Sequence, residues 1–422
     1  MSVVQLAAIA SYDDAEALLA FARQALELCD AVAGWRDRPD PERLVVVKPN
    51  WIQESHQHLP GVWEPVITHP ALICAVIEAL GGAMGGTGTI ALCDAPHTYA
   101  DFNAILGRGD LSVRLDILRE RFPALCIEVI DLRREVWTTR EDVVVARRSN
   151  PDDPRGYVRL DLRRDSLFYR HPGEGHYYGA DYDVGEVNRH HAGEVHEYLL
   201  AGTPMRCDLF VNLPKMKTHK KTGITCCLKN PVGINGDKNW LPHHTEGGPQ
   251  TGGDEFPAEG MPQTIEQCLK RLGRRAALGI PGLGPWIFRL MRRAGTRVLG
   301  DSGATIRNGN WSGNDTCWRM ALDLNRALLY GNPDGGWREA PQAKNYLAIV
   351  DAIAAGEGNG PIAPDAVSAG LLLAGTDPAA VDAAACRLMG FNPEDIPIVR
   401  NAFEAHRWPI AAGQLNEVRV ED

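Results

Sequence analysis

The sequence predicts an α/β protein built on a mixed or mostly parallel sheet, with helices on both faces and long active-site loops. Apolar runs of strand length, RLVVVKPN (43–50), TIALCDAP (89–96) and ALCIEVIDL (124–132), alternate with helical stretches in the first third. The same pattern returns in the last third, where LAIVDAI and SAGLLLAG each precede turn-forming residues. Strand, helix, strand at this spacing is how parallel strands are connected. The 422 residues suffice for one large or two medium domains, and 44% hydrophobic with 23% charged residues is a globular composition. The chain divides into an N-terminal α/β part at 1–140, a polar insertion at 141–205, and a central and C-terminal α/β part at 206–422 that completes the same core.

A first helix is expected over 13–32, ending before Gly34. The strand at 43–50 ends in Lys48-Pro49-Asn50. A helix over 70–80 stops at Gly81-Gly82, because paired glycines favour a helix C-terminus. The next strand ends in Asp94, and a third strand covers 124–132. A strand over 208–215 follows the polar insertion, then a Gly/Pro/His-rich loop over 230–263 whose length points to function or disorder. Helices are expected over 264–279 and 314–329. The apolar, basic stretch PGLGPWIFRLMRRAGTRVLG (281–300) reads as a packed helix, with a membrane surface or a partner as the alternative. GEGNGP (356–361) is expected as a flexible turn after a strand. Thr376-Asp377-Pro378 is the entry to a last helix.

Polar residues recur just after the strands: Lys48 and Asn50, Asp94 and His97, Lys215 and Lys217, and Glu357. In open α/β sheets ligands bind beyond the carboxyl ends of the strands, so one crevice is expected to collect these groups.

A net charge of -10 argues against a nucleic-acid binder. The N-terminus lacks a basic region followed by an apolar core, and no apolar run approaches membrane-spanning length, so neither a signal peptide nor a transmembrane segment is expected. The ten cysteines contain no CxxC and no disulfide-framework spacing; they suit a reducing cytoplasm, and an iron-sulfur cluster is not expected.

Against this acidic background, VNLPKMKTHKKTGITCCLKN (211–230) carries five lysines, one histidine and no acidic residue. Lysines delivered by a strand, with hydroxyls and glycine nearby, suit phosphate or carboxylate binding; a solvated charged face is the blander alternative. Cys226 and Cys227 read mainly as packing, with a nucleophilic role open. GEGNGP fits neither GxGxxG nor the GxxxxGK[ST] phosphate loop, so no nucleotide site is indicated. Two histidine groups, His243-His244 with Glu246, and His190, His191, Glu194 and His196, are candidate metal ligands. Asp377 doubles as a helix cap.

VVVKPN (45–50), DLFVNLPKMKTHKKTGITCCLKNPVGI (208–234) and GEGNGP with AGTDPAAVDAAACRLMGF together resemble the domain-of-unknown-function 362 family. Some relatives in that family carry a ferredoxin-like cluster domain, whose cysteine runs are missing here. The central block also resembles, distantly, the lactate racemases with their nickel-pincer cofactor, which would make Lys217, His219 and Lys229 the candidates to surround such a group.

The expectation is an enzyme acting on an anionic, phosphorylated or carboxylated small molecule, its reaction type open. His219 would move a proton, with Lys217, Glu357 and Asp94 as catalytic partners. Lys48, Asn50, Lys215, Lys220, Lys229, Asn230, Gly358, Asn359 and Gly360 would bind substrate. A divalent metal would fall to Asp94, His243 and Asp377. The alternatives are a non-catalytic anion-binding or scaffold protein and a cofactor-dependent isomerase. A homo-oligomer is compatible with either.

Overall fold

A computed structural model describes residues 2–30, 42–140, 143–179, 184–258, 308–340 and 343–421. The stretches 264–279 and 281–300, expected as helices, lie outside the described residues.

One ten-stranded sheet organises the molecule. Eight of its strands run in the order Arg419–Glu421, Val3–Ala8, Ala363–Gly375, Tyr346–Asn359, Leu209–Leu213, Leu44–Pro49, Gly88–Asp94, Leu125–Asp131, and Lys215–His219 and Gly223–Thr225 pair off this path. The five strands from Tyr346–Asn359 to Leu125–Asp131 are all parallel; antiparallel pairs join Tyr346–Asn359 to Ala363–Gly375, Ala363–Gly375 to Val3–Ala8, and Lys215–His219 to Gly223–Thr225, so the sheet is mixed and mostly parallel. Strands from both ends of the chain share this sheet, whereas Tyr157–Asp161, His191–Ala192 and Val195–Ala201 form a separate three-stranded sheet.

The central strands are apolar on both sides because both sides are covered. Val45 and Val47 pack into one core with the helices Ala15–Asp30, Pro70–Ala83 and Leu111–Arg121. Leu44 and Val46 face the other core, against Cys317–Tyr330 and Pro378–Leu388. Helices on both faces are thus a direct consequence of the period-two alternation of an all-apolar strand.

Two local readings differ from the sequence expectation. The helix expected to stop at Gly81 runs through to Ala83. Gly81 lies against the Phe122 ring, where a Cβ would approach to 3.0 Å, so its glycine serves close packing. GEGNGP is mostly strand. Tyr346–Asn359 forms a long hairpin with Ala363–Gly375, and only Gly360-Pro361 turns the chain. Lys215–His219 pairs parallel with this hairpin and antiparallel with Gly223–Thr225. Gly360 is required there, because a Cβ would stand 1.9 Å from the Thr218 carbonyl oxygen.

Among the described residues, no helix is long and apolar enough to cross a membrane.

Candidate anion site

The parallel strands Leu44–Pro49 and Gly88–Asp94 end side by side, and their last polar residues meet. Lys48 Nζ lies 2.8 Å from Asp94 Oδ1, with both side chains almost fully buried. Asp94 Oδ2 also accepts the Trp51 N–H at 2.7 Å. Lys48 donates further to the Pro49 carbonyl and to Asn230 Oδ1, which also receives Asn50 Nδ2. Asn230 in turn donates to Asn212 Oδ1 at 2.6 Å, tying the loop after the lysine block to the strand end. Burial pushes the Asp94 carboxyl up and the Lys48 ammonium down, and their mutual contact opposes both shifts.

These strand ends wall a cavity of about 870 Å³. Its lining brings together Lys48, Lys220, Lys221, Lys229 and Lys238, against the two carboxylates Glu54 and Asp94. Lys221 donates to the carbonyls of His243 and Asn308, and Lys238 to that of Ala95. Burial brings Lys238 down to about 8. Among the described residues, the Lys229 ammonium meets neither a hydrogen-bond acceptor nor a carboxylate, and it is half-buried.

Two histidines in the lining are held in opposite tautomers. His219 Nδ1 accepts the backbone N–H groups of Lys221 and Thr222 at 3.1 and 3.3 Å, so its proton sits on Nε2. His243 Nδ1 lies 2.8 Å from the Leu241 carbonyl, which can only accept, so His243 carries its proton on Nδ1 and a lone pair on Nε2. Burial and then the nearby lysines, Lys229 and Lys221 foremost, hold both well below the usual histidine range. His97, also in the lining, is pushed down to about 3, by burial first and then by Lys238 and Lys229. The site therefore offers a neutral N–H donor at His219 and a neutral acceptor at His243.

The structure gathers Lys48, Asn50, Asp94, His219, Lys220, Lys229, Asn230 and His243 from the expected set into this lining. Others stand elsewhere. Lys215 is fully buried in an ion pair with Asp351 at 2.6 Å and receives nothing from the cavity. Lys217 is also fully buried, its ammonium 2.5 Å from the Val66 carbonyl. Of the nickel-pincer candidates, only His219 and Lys229 line the cavity. Glu357 is exposed on the hairpin, paired in register with Asp365, and Gly358, Asn359 and Gly360 lie in that hairpin with only the following Pro361 and Ile362 in the lining. Asp377 caps the helix Pro378–Leu388, accepting the N–H groups of Ala379 and Ala380 at 3.0 Å, while its other oxygen takes Ser2 and Ala412. Asp94, His243 and Asp377 thus do not converge as metal ligands.

Lys238 and Gly233 are among the cavity residues that escape sequence reasoning. Lys238 follows Asp237, whose side chain caps a short turn by accepting the Asn239 N–H, a local signal that could have marked it. Gly233 carries no such signal. A Cβ there would lie 2.1 Å from Asp94 Oδ1 and 2.7 Å from Lys48 Nζ, so glycine lets the backbone pass over the ion pair.

Behind the cavity, Cys226, Cys227 and Asp382 bring their ligand atoms within 4.8 Å of one another. All three are buried; Asp382 accepts the N–H groups of Cys227 and Leu228, and burial raises both thiols, Cys227 to about 11. Protonated, buried thiols are poor nucleophiles. Burial also lifts the Asp382 carboxyl from 3.8 to about 6. A carboxyl whose folded pKa lies above its unfolded value favours folding most at low pH, and that contribution fades as pH rises through the folded value. Asp382→Asn should therefore gain stability relative to the native chain as pH rises from about 4 to about 6, which urea unfolding across that range checks; a difference independent of pH would contradict the assignment.

A protein from Thermotoga maritima, solved as a structural-genomics target, is similar at 9% identity with a TM-score of 0.33, over 89% of this chain and 59% of its own. The chain thus spans less than two thirds of that protein's length. The curated proteins gave no match. The family model described as a domain of unknown function, DUF362, matches residues 176–387, which hold the lysine block, both histidines and the helix after Asp377. Half of the chain is covered by that match, and the chain belongs to the DUF362 family.

Proposed function

We propose that the chain is an enzyme acting on an anionic small molecule held in this cavity, with His219 and His243 supplying hydrogen-bond and proton-transfer chemistry. One observation carries the reading: among the described residues, five lysines converge on a cavity with two carboxylates, in a protein of net charge -10. With the Lys48–Asp94 pair internally neutralised, Glu54 is the other carboxylate of the described lining, and Asp254 and Glu255 act on Lys221 from outside it. A volume of about 870 Å³ suits a metabolite of substantial size. Trp51, Tyr99, Trp137 and Leu241 supply apolar wall for the rest of such a molecule.

The two tautomers suggest a division of labour. His219 Nε2–H donates to an oxygen of the ligand, and His243 Nε2 accepts a proton or a hydrogen bond from it. The lysines that depress both histidines are the groups an anion would neutralise. Binding should therefore raise the histidine pKa values and take up protons, so affinity should increase as pH falls.

Sulfate and succinate, titrated calorimetrically, provide the test. Sulfate keeps its charge across the useful pH range. It should bind more tightly at low ionic strength and at pH 5.5 than at pH 7.5, a neutral sulfone should not bind, and proton uptake should accompany binding. Absence of sulfate and succinate binding, or equal binding of the neutral sulfone, would refute the anion site. Binding without proton uptake would remove the histidines from the mechanism.

A further inference from the structure

The separate three-stranded sheet holds a second group of histidines away from the cavity. His191 and His196 face each other directly across the antiparallel strands His191–Ala192 and Val195–Ala201. Both are fully buried, and their ring centroids lie 6.0 Å apart. His191 donates Nε2–H to the Trp240 carbonyl at 2.9 Å, which leaves Nδ1 as a lone pair with no partner among the described residues. His196 leans on the Gly193 backbone through one ring nitrogen, which leaves the other without a partner among the described residues. The Tyr177 hydroxyl, on a ring packed edge-on against His191, is buried and has no partner among the described residues either. Orphaned buried polar atoms are rare and costly, and three on neighbouring side chains call for a shared partner.

Their neighbours in sequence do not supply one. His190 is engaged at both nitrogens, by Glu197 at 2.7 Å and Glu186 at 3.0 Å, and Glu194 pairs with Arg164 on the surface. What remains is two neutral imidazoles with free lone pairs and a hydroxyl.

We propose that His191 and His196 form a binding site for a divalent transition-metal ion, with Tyr177 and solvent completing its shell. A metal about 2.0–2.1 Å from an imidazole nitrogen lies roughly 3.2 Å from the ring centroid, so two imidazoles on one ion put their centroids roughly 5 to 6.4 Å apart. The observed 6.0 Å falls inside that span. Neutral imidazoles select zinc, cobalt, nickel or copper over magnesium and calcium. Burial lowers the pKa of both rings, in the direction a metal ligand requires. Bound between two strands of a small sheet, the ion would fasten the segment that lies over the Trp240 turn.

Cobalt(II) alone is the probe. Chelator-treated full-length protein should take up one equivalent, with a visible ligand-field band and a rise in Tm. His196→Gln should lose both, while His243→Ala, which alters the cavity instead, should keep them. A crystal soaked in cobalt, with diffraction recorded at the cobalt edge, should place the anomalous peak between the two rings; this decides the matter even where His196→Gln fails to fold. No uptake at millimolar cobalt, a peak elsewhere, or a band that survives His196→Gln would overturn the site.

Discussion

Asp94→Asn should destabilise the protein by about 3–5 kcal/mol, the usual cost of removing one partner of a buried ion pair. The reason lies in what surrounds Lys48. Its ammonium meets the Pro49 carbonyl, Asn230 Oδ1 and Asp94, and only Asp94 is charged. Neutralising Asp94 leaves a cation in a nearly water-free setting, with two neutral acceptors to hold it. The Asn side chain also weakens the hydrogen bond that fixes Trp51 N–H at 2.7 Å, and with it the start of the cavity wall. Replacing both members, as Lys48→Met with Asp94→Asn, should recover much of the loss, because no buried charge is then left unpaired. Gly233→Ala should imitate the single variant, since its Cβ would enter the space of Asp94 Oδ1. Urea and thermal unfolding of the four chains measure this directly. A loss below about 1 kcal/mol in Asp94→Asn would mean that water reaches the pair and that it behaves as a surface contact.

This pair also shows which parts of the molecule were legible in the sequence. Lys48 and Asp94 each close an apolar strand of recognisable period, and parallel strands place their ends together; both the sheet and this corner of the site follow from local pattern. Asp377 was legible for the same reason, as a cap read from Asp-Pro at a helix start. Lys215 and Lys217 were not. Whether a lysine after a strand faces a cavity or a carboxylate depends on a contact such as Lys215 with Asp351, which joins residues far apart in the chain. Nothing near Lys215 announces it. Glu357 was misplaced for a different reason. Glycines at 356, 358 and 360 resemble a turn, yet Gly356 and Gly360 serve the close approach of the hairpin to Lys217 and Thr218, a tertiary use of glycine that looks the same in sequence. The histidine tautomers were equally hidden, because each is set by backbone groups that only the folded turns bring into reach.

Lys229→Met should weaken sulfate binding about 10- to 150-fold, the loss of one charge-assisted hydrogen bond of about 1.5–3 kcal/mol. Lys229 is singled out among the cavity lysines by what it lacks. Lys48 is committed to Asp94, Lys221 and Lys238 each donate to backbone carbonyls, and Lys220 is exposed to solvent, where its charge is screened. Only Lys229 among them is half-buried with no protein acceptor among the described residues, so its ammonium is available to a ligand without breaking an existing contact. For that reason the substitution should leave stability almost unchanged, in contrast to Asp94→Asn. Lys220→Met should cost only a few-fold in affinity, and Lys217→Met should not act through ligand contact, because its ammonium faces Val66 outside the lining. A second, independent readout comes from the histidines. Lys229 is among the charges that depress His97, His219 and His243, so its removal should raise all three pKa values, which proton NMR of the histidine rings can follow. Equal losses of affinity at Lys217, Lys220 and Lys229 would indicate diffuse electrostatic attraction and refute a built site. Unchanged affinity at Lys229, with the histidine pKa values raised as expected, would move the ligand's anionic group toward Lys221 and Lys238 at the other lysine contacts of the same cavity.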